Sequence, residues 1–277
     1  MKHVLFFLVL TIGVSTWAKN PSVCGAGNTQ NLEFCQRMKH LRATSNLVDS
    51  QRILMNVDYD FLGQLATSLD NNAQTLIQLA PASLQNHTAG LQKIQMMAQE
   101  MGRLAELKNP NAMVVANNFR RQCLNCHNSN NPDPNIIWNE IFSFNWEKVT
   151  RDCSTENRNP YLCISMNALG SNLNHVVTAY VANIQDYSVT ASVANEIVRI
   201  LRKLKTLNFS HFTEENRAFA EQSALNVIQL ANAKDPNTFD MARNLNQACM
   251  QCHNSIVVNE IRQPQHAFST KTNWLTK

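Results

Sequence analysis

The chain contains the same segment twice. Lys108-Asn-Pro-Asn111, Ala116, Asn118 and Cys123-Leu-Asn-Cys-His-Asn-Ser129 align without a gap on Lys234-Asp-Pro-Asn237, Ala242, Asn244 and Cys249-Met-Gln-Cys-His-Asn-Ser255, at a constant offset of 126 residues. Downstream, Ile136-Ile-Trp-Asn-Glu-Ile141 matches Ile256-Val-Val-Asn-Glu-Ile261 once Asn130 to Asn135, with its two prolines, is taken as an insertion. Upstream, Cys24 and Cys35 correspond to Cys153 and Cys163, and Met38 to Met166, so all eight cysteines obey one two-copy plan. A repeat this long implies two units of one architecture, each of roughly 130 residues and large enough for a core. With a leader removed, the expected division is 1–18, 19–150 and 151–277.

The leader is read from its pattern. Lys2 and His3 precede an apolar run from Val4 to Val14, and Ser15-Thr16-Trp17-Ala18 ends in a small residue, the pattern of a secretory signal peptide. A membrane anchor is the alternative, but the run has about 11 residues where a spanning helix needs roughly 20. Export implies a periplasmic protein without stable membrane insertion, in a compartment that permits disulfides. Removing residues 1–18 takes away one lysine and leaves a net charge of about +3. With 24 basic and 20 acidic side chains and no run of like charge, nothing points to a nucleic-acid surface.

Each unit reads as helical. Only 7 glycines and 7% aromatics stand among abundant Ala, Leu, Asn, Gln and Met. In the second unit Leu162, Met166, Leu169, Leu173, Val176, Val177, Tyr180, Val181 and Ile184 recur at three and four, predicting one long amphipathic helix. A second helix is expected over 191–206. A third should start after Thr213, where Glu214 and Glu215 suit a first turn, and a fourth from Asp235-Pro236 to about Cys252. The first unit repeats this as 31–58, 60–79, 83–107 and 110–126. Short connections favour antiparallel neighbours, so the expected fold is all-α: two tandem antiparallel four-helix bundles.

Cys123-x-x-Cys126-His127 and Cys249-x-x-Cys252-His253 have the spacing of c-type haem attachment. One helical turn puts both thiols on one side, where each can form a thioether with a porphyrin vinyl group, and the adjoining histidine can reach the iron. A thioredoxin-like CxxC would follow a strand, whereas a helix precedes it here, and a zinc site would need further ligands nearby. The expected cofactors are therefore two covalently bound haem c groups, one at the end of each fourth helix.

Haem attached there, rather than near the start of the domain, resembles the class II cytochromes c, the cytochrome c prime family with its low-spin members. The common small cytochrome c fold needs a methionine well after the motif, and none of the 24 residues after His253 is Met. The resemblance covers each unit from its first helix to the CxxCH. The chain departs from it in the Cys24/Cys35 and Cys153/Cys163 pairs, in the tail after each motif and in the tandem arrangement. In an antiparallel bundle the start of helix one lies beside the end of helix four. A distal iron ligand should come from there, and the repeat-matched pair is Met38 and Met166, where the resemblance also places the methionine of low-spin relatives. The alternative makes both methionines core fillers and leaves five-coordinate iron open to small gases. Histidine is the remaining distal option, with His40 and His175 as candidates, but they correspond to Ala168 and Leu47, so neither repeats and a satisfied surface or core histidine is the reading preferred; His87, His211 and His266 are unmatched and take no role. Arg120 and Arg121 flank the first motif only, as propionate partners or solvated charges. Disulfides Cys24–Cys35 and Cys153–Cys163 need the least coincidence among the three connectivities and would stabilise by roughly 2 to 3 kcal/mol each.

The leading expectation is a soluble dihaem carrier of single electrons between redox partner proteins. The alternative is a haem protein that binds or senses a gas such as nitric oxide. No acid/base His or Glu beside the motifs supports an enzyme such as a peroxidase.

Overall fold

The computed structural model describes residues 31–53, 57–130, 160–206 and 214–257. The leader, Cys24, Cys153, the unit boundary near residue 150, most of the insertion and most of the tail after the second motif lie outside them. Eight α-helices and one 3-10 helix make up the described residues, with no strand among them: α1 (Leu32–Ile53), α2 (Tyr59–Leu79), the 3-10 helix Ala82–His87, α3 (Thr88–Glu106), α4 (Asn111–Asn130), α5 (Pro160–Val181), α6 (Tyr187–Lys205), α7 (Glu214–Asn232) and α8 (Thr238–Val257). None of these helices is long and apolar enough to cross a membrane.

The helix ends obey the repeat because the residues that make them are repeated. Asp58 caps α2 by accepting from Phe61 N at 3.0 Å, and Asp186 caps α6 by accepting from Val189 N at 3.1 Å. Each such cap contributes about 1 kcal/mol. Lys108 and Lys234 follow α3 and α7 in the left-handed region, with φ of 49° and 52°. That conformation lets Asn109 N reach Leu104 O and Asp235 N reach Leu230 O, both at 2.9 Å, closing each helix. Pro160 opens α5, the first helical position that proline tolerates best.

Several boundaries differ from expectation for local reasons. The first helix ends at Ile53 rather than 58, because Asp58 belongs to the cap of α2. The segment expected as 83–107 begins as a 3-10 helix to His87 before α3 starts at Thr88. The helix expected from 191 starts at Tyr187, next to its Asp186 cap. Helices α4 and α8 run on to Asn130 and Val257, past the 126 and 252 expected.

Packing closes each set of four. Helices α1 to α4 meet in sequence order and α1 also meets α4; α5 to α8 do the same, with α5 meeting α8. Helices α2 and α3 pack antiparallel and close, so that a Cβ on Gly102 would lie 3.3 Å from Ala66 Cβ and one on Gly63 3.9 Å from Ala105 Cβ. Across the sets two helices meet their own counterparts, α1 with α5 and α2 with α6, as in an isologous contact. Buried apolar residues of both sets therefore form one contiguous cluster, from Phe34 through Leu47, Phe119 and Leu173 to Leu245.

The α1–α5 contact holds two imidazoles. His40 and His175 are 1% and 2% exposed, with ring centroids 4.5 Å apart. The Thr178 hydroxyl donates to Asn174 O at 2.8 Å, so it receives the Nδ1 proton of His40 at 3.2 Å. Neither ring nitrogen of His175 has a hydrogen-bond partner. Burial, with the Arg37 charge, pushes His40 down to about 4, and burial with His40 nearby pushes His175 down as well. Their repeat counterparts, Ala168 and Leu47, are fully buried apolar residues.

Both rings are thus neutral when folded and bind protons when unfolded. Stability is full above the unfolded value near 6.5 and falls as the pH drops from there towards 4, by up to about 1.4 kcal/mol per pH unit for each ring. Urea unfolding between pH 7 and 4.5 should show this slope, and His175→Leu, which installs the side chain of the mirrored position, should lower it. An unchanged slope in that variant would remove His175 from the account.

Candidate functional site

The two motifs are carried at one register by one piece of local chemistry. After the left-handed lysine, Asn109 Oδ1 accepts from Asn111 N at 2.9 Å, and Asp235 Oδ1 accepts from Asn237 N at 2.8 Å. These turns start α4 and α8 in the same way. Cys123 and Cys249 then fall twelve residues on from Asn111 and Asn237, in the second half of each helix. The side chains of His127, Cys252 and His253 lie outside those described.

Cys123, Cys126 and Cys249 are half-buried thiols not joined in disulfides. Cys123 and Cys126 stand one turn apart on α4, which keeps them on one side of the helix. Burial pushes the Cys123 thiol up to about 12, reinforced by Cys126 and the Asp49 carboxylate and opposed by Arg42. Cys126 is also raised, by burial. Burial likewise lowers the Arg42 guanidinium to about 10, with the Cys123 charge acting against it. Arg42 and Asp49 come from α1, and their counterparts in α5 are Gly170 and Val177, so this electrostatic setting belongs to the first motif alone.

Helix α3 presses on the same cysteine. A methyl group on Gly90, the third residue of α3, would lie 2.9 Å from Cys126 Sγ and 3.3 Å from its Cβ. Beside this contact is an open cavity of about 270 Å³ lined by Asn86, His87, Ala89, Gly90, Gln122, Asn125 and Cys126. That is below the size of a pocket that engulfs a drug-sized ligand, and suits the edge of a ring. The counterpart of Gly90 is Asn216.

Met38 and Met166 are each the seventh residue of α1 and α5, half-buried and packed against the core. Cys35 and Cys163, three residues earlier, are disulfide-bonded. The pairings expected with Cys24 and Cys153 involve residues outside those described. Arg121 is exposed beside the first motif, and nothing is described of the Arg120 side chain. Gly90, Arg42 and Asp49 escaped sequence reasoning: none repeats, and each reaches the motif from another helix.

Comparison of the chain with protein-family models, with curated proteins and with solved structures found no match.

The thiolate is the species that is alkylated, and Cys123 yields it less readily than Cys126. In the chain isolated without a bound group, a neutral alkylating reagent at pH 8 should modify Cys126 faster than Cys123. Equal rates would show that Cys123 is not desolvated as the packing implies.

Proposed function

We propose that the chain is a tandem dihaem c-type cytochrome of the class II type, exported to the periplasm, that carries single electrons between redox partner proteins. The observation that carries this reading is the pair of CxxCH motifs at one register near the ends of α4 and α8, the last helices of two equivalent helix sets. The thiols add support. A disulfide-exchange centre depends on a lowered thiol, whereas burial raises both Cys123 and Cys126. What these sulfurs suit is a covalent partner brought to them.

The residues divide the work as follows. Cys123 and Cys126 anchor the first group by thioethers, and Cys249 and Cys252 the second. His127 and His253 are the proximal ligands. Bound haem supplies a one-electron iron couple. Met38 and Met166 serve as distal ligands from the same register of α1 and α5, and the disulfides Cys24–Cys35 and Cys153–Cys163 hold the first turns of those helices where the methionines stand. Arg42 and Asp49, present beside the first motif only, set the two centres at different potentials, because buried charge near the porphyrin shifts it.

Optical spectra of the purified holoprotein, oxidised, reduced and exposed to carbon monoxide, test the reading. Two covalent haems, a methionine-to-iron charge-transfer band and no response to the gas are expected. Met38→Ala and Met166→Ala should each turn one haem high-spin. A wild-type high-spin spectrum that shifts with carbon monoxide would replace electron transfer by gas binding at five-coordinate iron.

A further inference from the structure

We infer that the cavity between the first turn of α3 and the end of α4 takes the edge of the first porphyrin, and that Gly90 is the positioning residue that lets Cys126 form its thioether. This rests on the haem reading above.

Two features meet on one side of Cys126: the cavity, and the absence of a side chain at position 90. A Cβ at 2.9 Å from Sγ is closer than real contacts allow. In the unlinked chain the thiol can turn away about χ1, so a methyl group there is tolerated. A sulfur bonded to the porphyrin has lost that freedom. In the linking step the Cys126 S–H adds across a vinyl C=C: an S–C bond forms, the proton ends on the other vinyl carbon, the π bond is consumed and nothing leaves. No oxidant or reductant enters, so geometry alone decides whether the addition occurs. In the structure the Cys126 sulfur lies against α3 beside the cavity, and a methyl group at position 90 would push it from that place. The cavity is open, and Asn86 and Asn125 on its rim are exposed, so a ring edge laid on Ala89 and Gly90 leaves these amides in water.

Asn216 stands at this position in the second unit, so the device belongs to the first haem only. The repeat keeps both anchoring cysteines and changes what lies against the second of them.

The experiment uses the full chain matured with haem, as wild type, Gly90→Ala, Cys126→Ala and the double variant. Haem-peptide masses and the α band of the pyridine haemochrome, which moves when one thioether is lost, are read alongside helical content. In Gly90→Ala the first haem should be held through Cys123 alone in the majority of chains, with the second haem unaffected. The double variant should match Cys126→Ala in both readouts. If Gly90→Ala misfolds, recovery of helical content in the double variant would still show that the clash runs through Cys126. Full double linkage in Gly90→Ala would overturn the inference, as would misfolding or haem loss in the double variant beyond that of Cys126→Ala. A wild-type chain carrying no covalent haem overturns the underlying reading instead, and is told apart by the wild-type masses alone.

Discussion

Everything else in the structure hangs on the packing of α1 against α5. Each of these helices closes its own set of four and also lies on the other, so it must be buried around most of its circumference. On α1 this takes polar residues inside with the apolar ones: His40, Thr44, Ser45, Asp49, Ser50 and Gln51 are all buried. Some bond back to their own helix, Thr44 Oγ1 to His40 O at 3.0 Å and Ser50 Oγ to Leu47 O at 2.7 Å, which removes the penalty of burying a bare hydroxyl. The rings of His40 and His175 share the middle of the joint, and they make it tolerate neutrality better than charge. The price of a common core is that neither set of helices is chemically independent of the other.

The same arrangement explains why two CxxCH motifs of one sequence pattern need not behave alike. The parts that carry the motif are repeated: the turn after the left-handed lysine, the helix it starts and the cysteines in its second half. The parts that surround them are not. Arg42 and Asp49 face the first motif from a helix whose counterpart carries Gly170 and Val177, and Gly90 gives way to Asn216. Duplication preserves what a centre needs to exist, and single positions on neighbouring helices are then available to make one differ from the other.

Much of this was legible from the residues in order. The spacing of Leu, Val and Met in α5 and the Asn109-Pro and Asp235-Pro starts act between residues a few positions apart, so they can be read along the chain. Boundaries were read less well where a residue serves the following helix instead of the preceding one, as Asp58 does. The histidines were passed over because neither repeats, yet two unmatched residues on different helices form the most secluded pair in the joint.

By itself the sequence determined the helical class, the two-copy plan and the place of both CxxCH motifs, because periodicity, capping and motif spacing are local properties. Only the tertiary structure decided that the buried cluster runs unbroken through both sets, that His40 meets Thr178 across 138 residues of chain, and that Gly90 lies against Cys126. Those contacts depend on which face of one helix is turned to another. That is settled by how whole helices share a core, and no single stretch of residues encodes it.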